Sequence, residues 1–283
     1  MIEKVSLYIP AFNAEKTIKE VLLSVQKQSV KFDEIVVIND CSTDNTKKII
    51  QEFKEIKLIN NHNNVGLGKS RNIAIESCRN EIIASIDSDV VLDTFWLENM
   101  LKDLRKNNVQ ICGGKLIEKI ESNPCNTWRA KRYKQNWGLN DIYNPPFIYG
   151  CNSIQYKKIW HEVGGYDEKL QTNGEDVDYS KRIKNIENVN TFYSSKSLCF
   201  HLQNDNYLSL AKRVWRYHSY GYKIKKPSAF RAFKLILKQF NFFAKRIIQD
   251  LTTLKLKYIL IDFIVLIYFI FFEIKHTFDY NKY

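Results

Sequence analysis

The chain has 283 residues, which is long enough for one large domain with its own core and an appendage. Its six cysteines are scattered without CxxC or zinc-like spacing, which excludes a cysteine-ligated zinc module and predicts reduced thiols in a cytosolic setting. The formal net charge is +12, and residues 211–257 account for it, with 13 Lys or Arg against one Asp or Glu. The basic character therefore belongs to one segment and requires a local explanation.

Strand-like and helical patterns alternate along the first part of the chain. Four short apolar runs have the length of buried strands, and they lie at Val5–Ile9, Glu34–Ile38, Lys57–Ile59 and Ile82–Ile86. Helical patterns separate these runs, which predicts an α/β fold with a mainly parallel sheet flanked by helices. Ligands of such sheets bind beyond the carboxyl ends of the strands, where Pro10, Asp40 and Asp87 would all lie.

Two carboxylates end the fourth apolar run. Asp87 and Asp89 are separated by one residue, so both can face the same side of an extended backbone. The two like charges would repel each other, and a divalent cation would relieve that repulsion. Oxygen ligands at this position suit Mg²⁺ or Mn²⁺ that arrives with a diphosphate. The alternative is a helix N-cap, because a helix is predicted to start at Asp93 or Thr94.

A glycine-rich turn, Gly66–Ser70, leads into the next predicted helix. A phosphate-binding P-loop would need a glycine five residues before Gly68, where this chain has Asn63, and it would follow a strand directly. The sequence therefore argues against a nucleoside-triphosphatase. Arg71, one turn into the helix, is the better candidate for a functional contact, and its alternative is a solvated surface arginine.

Three stretches of this region form a recognisable series. They begin at Val5, Val36 and Asn64 and read VSLYIPAFNAE, VVINDCSTDNT and NVGLGKSRN. In this order they resemble motifs of the family 2 glycosyltransferases, inverting enzymes with the Rossmann-like GT-A fold. Ile86–Asp89 falls where that family has its Asp-x-Asp motif, and the resemblance extends to about His201.

The resemblance implies a set of residues at a sugar-nucleotide donor: Pro10, Asp40, Arg71, Asp87 and Asp89. Asp40 would contact the base and Arg71 would lie at the nucleotide. Asp87 would approach the ribose and the metal, and Asp89 would ligate the metal. One departure is Asn39, where the family often has a second Asp, and it weakens the assignment of the base contact.

Two acidic residues precede a helix predicted over Tyr179–Ile186. Glu175 and Asp176 belong to the stretch Asn173–Asp178, which resembles the Glu-Asp motif of the family. A carboxylate at a helix N-terminus is stabilised as the anion, which suits a cap as well as a base. The resemblance implies that Asp176 is the catalytic base and that Glu175 and Asp178 are supporting or acceptor-facing residues.

A second metal ligand is suggested by the last predicted strand, Thr191–Phe200, which ends at His201. A lone histidine at a strand end is often structural or solvated. The resemblance implies that His201 completes the metal site opposite the Asp-x-Asp. Asp89 and His201 would then hold the Mg²⁺ or Mn²⁺.

Aromatic and basic residues are interleaved after the strand-like run Ile111–Ile120. Within Asn123–Tyr149 they are Trp128, Tyr133, Trp137 and Tyr143 with Arg129, Lys131, Arg132 and Lys134. One interpretation is an acceptor groove, in which rings stack on sugars or lipid and cations bind phosphate. The other is an ordinary helix with a packed aromatic face and a solvated basic face.

Beyond His201 the pattern changes. In Ser228–Leu251 bulky apolar residues recur every three or four positions and basic residues occupy other faces, which is typical of a helix that binds a membrane surface. Tyr258–Phe272 is apolar except for Asp262 and would extend about 22 Å as a helix, less than the roughly 30 Å of a hydrocarbon core. We therefore predict an interfacial, re-entrant or marginally spanning segment, with a docked helical appendage as the alternative.

The sequence thus predicts a catalytic domain over residues 1–205 and a membrane-associating helical segment over 206–283. The predicted function is inverting transfer of a sugar from a nucleotide-diphosphate donor to a glycan or membrane-linked acceptor, at the cytoplasmic face of the cell membrane. Two alternatives remain: a nucleotidyltransferase, which would release pyrophosphate, and a non-catalytic module that binds membrane or nucleic acid. The aromatic stripe favours membrane over nucleic acid as the partner of the basic segment.

Overall fold

The computed structural model describes residues 3–119, 123–219, 228–252 and 256–279. The chain divides into two compact units, Met1–Lys119 with Lys134–Leu202 and Ile120–Tyr133 with Gln203–Tyr283. The division after Leu202 is close to the boundary predicted after residue 205, but Ile120–Tyr133 belongs to the second unit instead of the first. The predicted strand end at Ile120, and parts of the basic segment 211–257, lie outside the described residues.

In the described part of the first unit, nine strands form one sheet. They are β1 (Val5–Ala11), β2 (Glu34–Asn39), β3 (Ile56–Asn60), β4 (Ile82–Ile86), β5 (Val90–Leu92), β6 (Ile111–Glu118), β7 (Ile142–Tyr143), β8 (Asn152–Tyr156) and β9 (Thr191–His201). The strand order is β3-β2-β1-β4-β8-β6-β9-β5, and β7 pairs with β9. Strands β3, β2, β1 and β4 are parallel, whereas β8 runs antiparallel to β4 and β6. The predicted α/β sheet is confirmed, and its parallel half brings the carboxyl ends of β1, β2 and β4 to one edge.

Ten helices lie in the described residues. They are α1 (Ile18–Gln26), α2 (Thr46–Gln51), α3 (Leu67–Ser77), α4 (Trp96–Lys106), α5 (Pro124–Arg132), α6 (Lys157–Val163), α7 (Glu175–Ile183), α8 (Tyr207–Ser219), α9 (Ala229–Thr252) and α10 (Leu256–Asp279). The helix predicted to begin at Tyr179 begins at Glu175. Gly174, whose φ is 86°, takes the left-handed turn that starts it. Asp176 therefore lies inside the first turn, where the helix dipole favours a carboxylate.

Alternate residues of the central strands face opposite sides of the sheet. Leu7 packs in the layer that contains α1 and α4, whereas Tyr8 and Ile83 pack in the layer that contains α3 and α7. Ser85 lies two residues after Ile83 and faces the same side. The polar side chains at the end of β4 are therefore directed towards α3, which carries Arg71.

The second unit is helical, and α5, α8, α9 and α10 share one core. Its fully buried apolar side chains include Trp128, Leu210, Val214, Phe243, Ile261 and Val265. Trp128 and Tyr133 pack inside this core, which confirms the interpretation of α5 as a helix with a packed aromatic face. The basic side of α5 is not solvated as predicted, because Arg129 and Arg132 are buried in ion pairs.

Asp262 interrupts the apolar run of α10 and is completely buried in the second unit. Its Oδ1 accepts a hydrogen bond from Trp128 Nε1 at 2.8 Å, and its Oδ2 accepts one from Arg132 at 2.7 Å. Burial raises the pKa of Asp262, and the charge of Arg132 opposes that shift. The charged residue in the apolar run is thus explained by packing within the helical unit.

The described residues include no helix that has both the length and the apolar composition required to cross a bilayer.

We expect Asp262→Ala to destabilise the helical unit by about 3 kcal/mol, because it leaves the Trp128 N–H and part of the Arg132 guanidinium buried without their acceptor. Urea unfolding followed by helical circular dichroism measures this effect. Lys275→Ala, at an exposed position of the same helix, is the matched control and should change stability by less than about 0.5 kcal/mol. Equal effects of the two substitutions would contradict a stabilising role for the Asp262 pair.

Candidate active site

The predicted donor residues meet at the carboxyl edge of the parallel strands. Pro10 lies within β1, in register with Ile38 of β2 and beyond Tyr8, the last β1 residue paired with β4. Asp40 directly follows β2, and Asp87 directly follows β4. The edge therefore brings together Asp40 and Asp87, which are far apart in the chain.

Asp40 is buried and ties the glycine-rich turn to β2. Its Oδ1 accepts hydrogen bonds from Asn61 Nδ2 at 2.8 Å and Val65 N at 2.9 Å, and its Oδ2 accepts one from Gly66 N at 3.0 Å. The next amide, Leu67 N, donates to the Gln171 carbonyl at 2.7 Å. Because protein acceptors occupy these amides, the turn does not offer the row of free N–H groups that a phosphate loop uses.

Arg71 is 1% exposed and lies at the centre of the site. Its Nη1 donates to Ser85 Oγ at 2.8 Å, to the Gly150 carbonyl at 2.9 Å and to Tyr8 Oη at 3.3 Å. These three acceptors come from β4, from the loop before β8 and from β1. The solvated-surface interpretation of Arg71 is therefore wrong, because the core layer between α3 and the sheet encloses its guanidinium.

Two carboxylates compensate the buried charge of Arg71. Asp87 Oδ1 accepts a hydrogen bond from its Nη2 at 2.7 Å, and Glu175 Oε1 lies 3.3 Å from its Nε. Burial disfavours the charged guanidinium and is the largest single effect, but Asp87, Tyr8, Glu175 and Tyr166 together outweigh it and raise the pKa of Arg71 above its ordinary range. Glu175 is itself buried, so its place is beside Arg71 and not at an exposed acceptor surface.

Asp176 is attached to the same cluster through Gly150. Its Oδ2 accepts a hydrogen bond from Gly150 N at 3.1 Å, and its Oδ1 accepts one from Val177 N at 2.8 Å. The Gly150 carbonyl, as described, accepts from Arg71. Burial raises the pKa of Asp176, and the Gly150 N–H works against that shift. Asp176 is only partly buried, so its carboxylate combines a raised proton affinity with access from outside.

Asp89 and His201 are also brought together. His201 Nε2 lies 3.1 Å from Asp89 Oδ2, and His201 Nδ1 lies 3.1 Å from both carboxylate oxygens of Glu118. Burial alone would lower the pKa of His201, but Asp89 and Glu118 raise it to about 9. His201 and Glu118 end the neighbouring strands β9 and β6, in register with each other.

The chemistry of this trio fits a divalent cation. Asp89 offers an oxygen and His201 offers Nε2, while the Glu118 carboxylate orients the imidazole through its other nitrogen, as in many metal sites. Within the described residues, no group of three or more His, Cys, Asp or Glu side chains is arranged to hold a metal ion. The part of the protein that the structure describes can thus supply two ligands, Asp89 and His201. Diphosphate oxygens and water would have to complete the coordination shell of a Mg²⁺ or Mn²⁺ ion.

The structure thus gathers the predicted residues into two groups. Asp87, Arg71, Glu175 and Asp176 form the Arg71 cluster, and Asp89 lies with His201. Pro10 and Asp40 lie at the ends of β1 and β2. The catalytic and binding roles predicted for all of these residues stay predictions. Sequence reasoning assigned no role to three contributors: Tyr8, Ser85 and Glu118. Only Glu118 left a signal, as an acidic residue near the end of a predicted strand.

Comparison with known proteins identifies the family. The family model described as glycosyl transferase family 2 matches residues 6–166, more than half of the chain. An uncharacterized glycosyltransferase of Haemophilus influenzae is 31% identical over 163 residues, covering 56% of this chain and 49% of that protein. A chondroitin synthase of Pasteurella multocida is 26% identical over 72% of this chain but only 21% of its own length. The chain therefore belongs to glycosyl transferase family 2, as its motifs predict, and its class is that of a glycosyltransferase.

Solved structures confirm the GT-A fold. Residues 1–349 of Staphylococcus aureus TarS align with a TM-score of 0.59 at 20% identity, over 75% of this chain and 64% of that one. The mannosyltransferase PcManGT from Pyrobaculum calidifontis, in complex with GDP-Man and Mn²⁺, aligns with a TM-score of 0.60 at 17% identity, over 78% of this chain and 62% of that one. At these identities the likeness concerns the fold alone.

Gly150 generates a prediction, because a Cβ there would lie 3.2 Å from Arg71 Cζ and 3.3 Å from Asp176 Cβ. We expect Gly150→Ala to separate the two side chains and to lower turnover by about 10- to 100-fold, the scale of small misplacements in an active site. The measurement is release of nucleoside diphosphate from the nucleotide sugar that best raises the melting temperature of the native chain.

Gly164→Ala is the control for this prediction. A Cβ at Gly164 would meet no atom within 4 Å, but the φ of 79° strains any side chain. This variant should melt earlier than the native chain by the equivalent of about 1 kcal/mol and keep its turnover. If Gly150→Ala also kept normal turnover, the Arg71–Gly150–Asp176 connection would have no role in the reaction.

Proposed function

We propose that the chain transfers a sugar, with inversion at the anomeric carbon, from a nucleotide-diphosphate donor to a hydroxyl of a glycan or lipid-linked acceptor. The observation that carries this proposal is the Arg71 cluster, in which one buried cation joins Asp87 at the donor edge to Gly150 and thereby to Asp176. A donor-binding carboxylate and a candidate base are thus held in one framework. Such a framework fixes their relative positions, which is the main requirement of a displacement between two bound substrates.

A nucleotide sugar is the donor class that the fold supports best. TarS is known in complex with UDP and with UDP-GlcNAc, and PcManGT in complex with GDP-Man. Asp40 and Pro10 lie at the end of the strands where a nucleotide binds in α/β sheets, and Asp87 lies at the same edge, directly after β4. We propose that these residues, with Asp89, contact the donor, and that Arg71 acts on it through Asp87.

Asp89 and His201 would hold a Mg²⁺ or Mn²⁺ ion, and Glu118 would orient the imidazole. When bound, the ion would neutralise charge that develops on the leaving diphosphate. Asp89 and Asp87 lie at the same strand end. A donor diphosphate bound there would therefore contact the metal ion held by Asp89 and would also lie next to the Arg71 cluster.

Asp176 would accept the proton of the acceptor hydroxyl as that oxygen attacks the anomeric carbon. Its partial exposure allows an acceptor to reach it, and its raised pKa makes it a stronger base than an ordinary aspartate. The Gly150 and Val177 amides fix the orientation of the carboxylate. Glu175 would not contact the acceptor. It would support the reaction from its buried position by compensating the charge of Arg71.

The relatives suggest the wider setting. They include chondroitin synthases, a hyaluronan synthase and a poly-beta-1,6-N-acetyl-D-glucosamine synthase, and this chain covers 56% or less of the length of the first of each kind. We propose a role in polysaccharide or glycoconjugate synthesis at the cytoplasmic face of the cell membrane. The deciding experiment is a screen of nucleotide sugars in which release of a nucleoside diphosphate supports sugar transfer and release of pyrophosphate supports a nucleotidyltransferase.

Asp89→Ala tests the metal assignment. We expect it to remove the dependence of donor binding on Mn²⁺, measured by calorimetry with and without the ion, and to abolish transfer, because only one protein ligand remains. Asp93→Ala, just after β5, removes a carboxylate that accepts a hydrogen bond from Phe95 N and should keep the metal dependence. Donor binding by Asp89→Ala that still rose with Mn²⁺ would place the ion elsewhere.

Asp176→Asn tests the base. The amide cannot accept the hydroxyl proton, so turnover should fall by about 10²- to 10⁴-fold while donor affinity is kept. In the native enzyme the base works only when deprotonated, so kcat/KM should rise with pH through a pKa above the ordinary value of about 3.9 for aspartate. That acidic limb should be absent from the profile of the variant.

Asp178→Asn is the matched control, since Asp178 lies in the same helix but pairs with Arg182 at 2.8 Å instead of with the Arg71 cluster, which argues against its implied supporting role. It should retain turnover and the acidic limb. An Asp176→Asn enzyme with native turnover and a slightly lower melting temperature would show that Asp176 is only a helix-stabilising residue.

A further inference from the structure

The helical unit exposes two long apolar stripes. On α9 the exposed large side chains are Phe230, Phe233, Leu237, Phe240, Ile248 and Leu251. On α10 they are Leu256, Leu260, Phe263, Ile267, Phe271, Ile274 and Phe278. On α10 these side chains recur every three or four residues, whereas on α9 this spacing runs from Phe230 to Phe240 and Ile248 and Leu251 follow after a gap on the same side. Each stripe is about 32 Å long at the rise of an α-helix. We call these two stripes together the apolar face.

Exposed apolar surface of this extent has to be explained, because soluble proteins rarely leave large contiguous patches uncovered. The interior of the unit does not need these side chains. Its core uses other positions of the same helices, such as Phe243 on α9 and Val265 on α10, both of which are completely buried. The apolar face is therefore additional to the core of the unit.

Charges in the unit are sorted between the interior and the surface. The acidic residues of α9 and α10 whose side chains the structure describes are Asp250, Asp262 and Glu273, and all are 1% exposed or less. Asp250 pairs with Lys131 and Arg132, Asp262 pairs with Arg132, and Glu273 accepts a hydrogen bond from Trp215.

Among the side chains of α9 and α10 that the structure describes, the exposed charges are basic. They are Lys234, Lys238 and Lys245 on α9 and Lys275 on α10. Lys234 Nζ lies 4.3 Å from the ring centroid of Phe230, so a cation borders the apolar stripe directly. The surface of α9 and α10 thus combines apolar stripes with positive charge.

We propose that the apolar face lies in the headgroup and upper acyl region of an anionic lipid bilayer, with α9 and α10 in the plane of the membrane. A bilayer supplies both matching components, since acyl chains accept the aromatic and aliphatic side chains and anionic headgroups attract the lysines. A second copy of this chain is a poorer occupant, because it would place exposed lysines against exposed lysines. This inference deepens the membrane location proposed above, but it concerns the helical unit alone.

The test uses the full chain and sedimentation with vesicles of phosphatidylcholine, with or without phosphatidylglycerol. Two double variants remove apolar contacts: Phe233→Ser with Leu237→Ser on α9, and Ile267→Ser with Phe271→Ser on α10. The control is Phe95→Ser with Leu139→Ser, two exposed apolar residues of the first unit. Each stripe variant should lower the partition constant by about 10-fold or more, and the control by less than about twofold.

A third variant, Lys234→Gln with Lys238→Gln and Lys245→Gln, separates charge from apolar insertion. At low salt it should lower binding to anionic vesicles by about 100-fold and remove most of the advantage of phosphatidylglycerol. The native chain should lose the same charge-dependent part of its binding at high salt and keep the apolar part.

Several results would overturn the proposal. One is a native chain that ignores anionic vesicles at low salt, and another is stripe variants that bind as tightly as the control. A third is a native dimer that the stripe variants dissociate and that vesicles do not bind, which would make a second copy the occupant. The rise in melting temperature caused by the nucleotide sugar is measured on every variant and shows that the first unit is folded. Loss of vesicle binding can then be distinguished from failure of the proposed reaction.

Discussion

The buried guanidinium of Arg71 is the interaction on which the site depends. Transfer of an unpaired charge from water into a protein costs several kcal/mol, so the surroundings must supply compensating groups. They come from distant parts of the chain: Tyr8 on β1, Ser85 and Asp87 on and after β4, Gly150 before β8, and Glu175 on α7. A change in any of these elements would leave the charge poorly compensated. The cation therefore links the positions of the elements that build the carboxyl edge of the sheet.

The same cation also shapes the proton affinities of its neighbours. Burial raises the pKa of Asp87, Glu175 and Asp176, and Arg71 lowers each of them to a degree that depends on its contact. Asp87 and Glu175 lie directly against the guanidinium, whereas Asp176 is hydrogen-bonded to the intervening Gly150. The pKa of Glu175 is nevertheless raised to about 8, chiefly by burial and by the charge of Asp176, so contact with Arg71 does not by itself keep a carboxylate ionised.

The sequence predicts this architecture only where its signals are local. The apolar runs of β1, β2 and β4 and the carboxylates that follow them can be located because a strand and its end are adjacent in the chain. The burial of Arg71 could not be predicted from the polar start of α3, since its partners are brought there by strand order and face alternation. The start of α7 was misplaced because Gly174, not an apolar repeat, determines where that helix begins.

In the helical unit, the amphipathic pattern of the sequence does not tell which residues of α9 are buried. In a globular protein an amphipathic helix buries its apolar stripe and exposes its polar residues. Helix α9 departs from this rule at several positions, since Phe233 and Phe240 are exposed while Gln239 and Asp250 are buried. Such an arrangement is unfavourable in water, because apolar surface remains hydrated while polar groups are desolvated. It becomes favourable when the outer surface meets lipid, since the solvent-facing stripe is then transferred out of water and the buried carboxylate keeps its ion pairs.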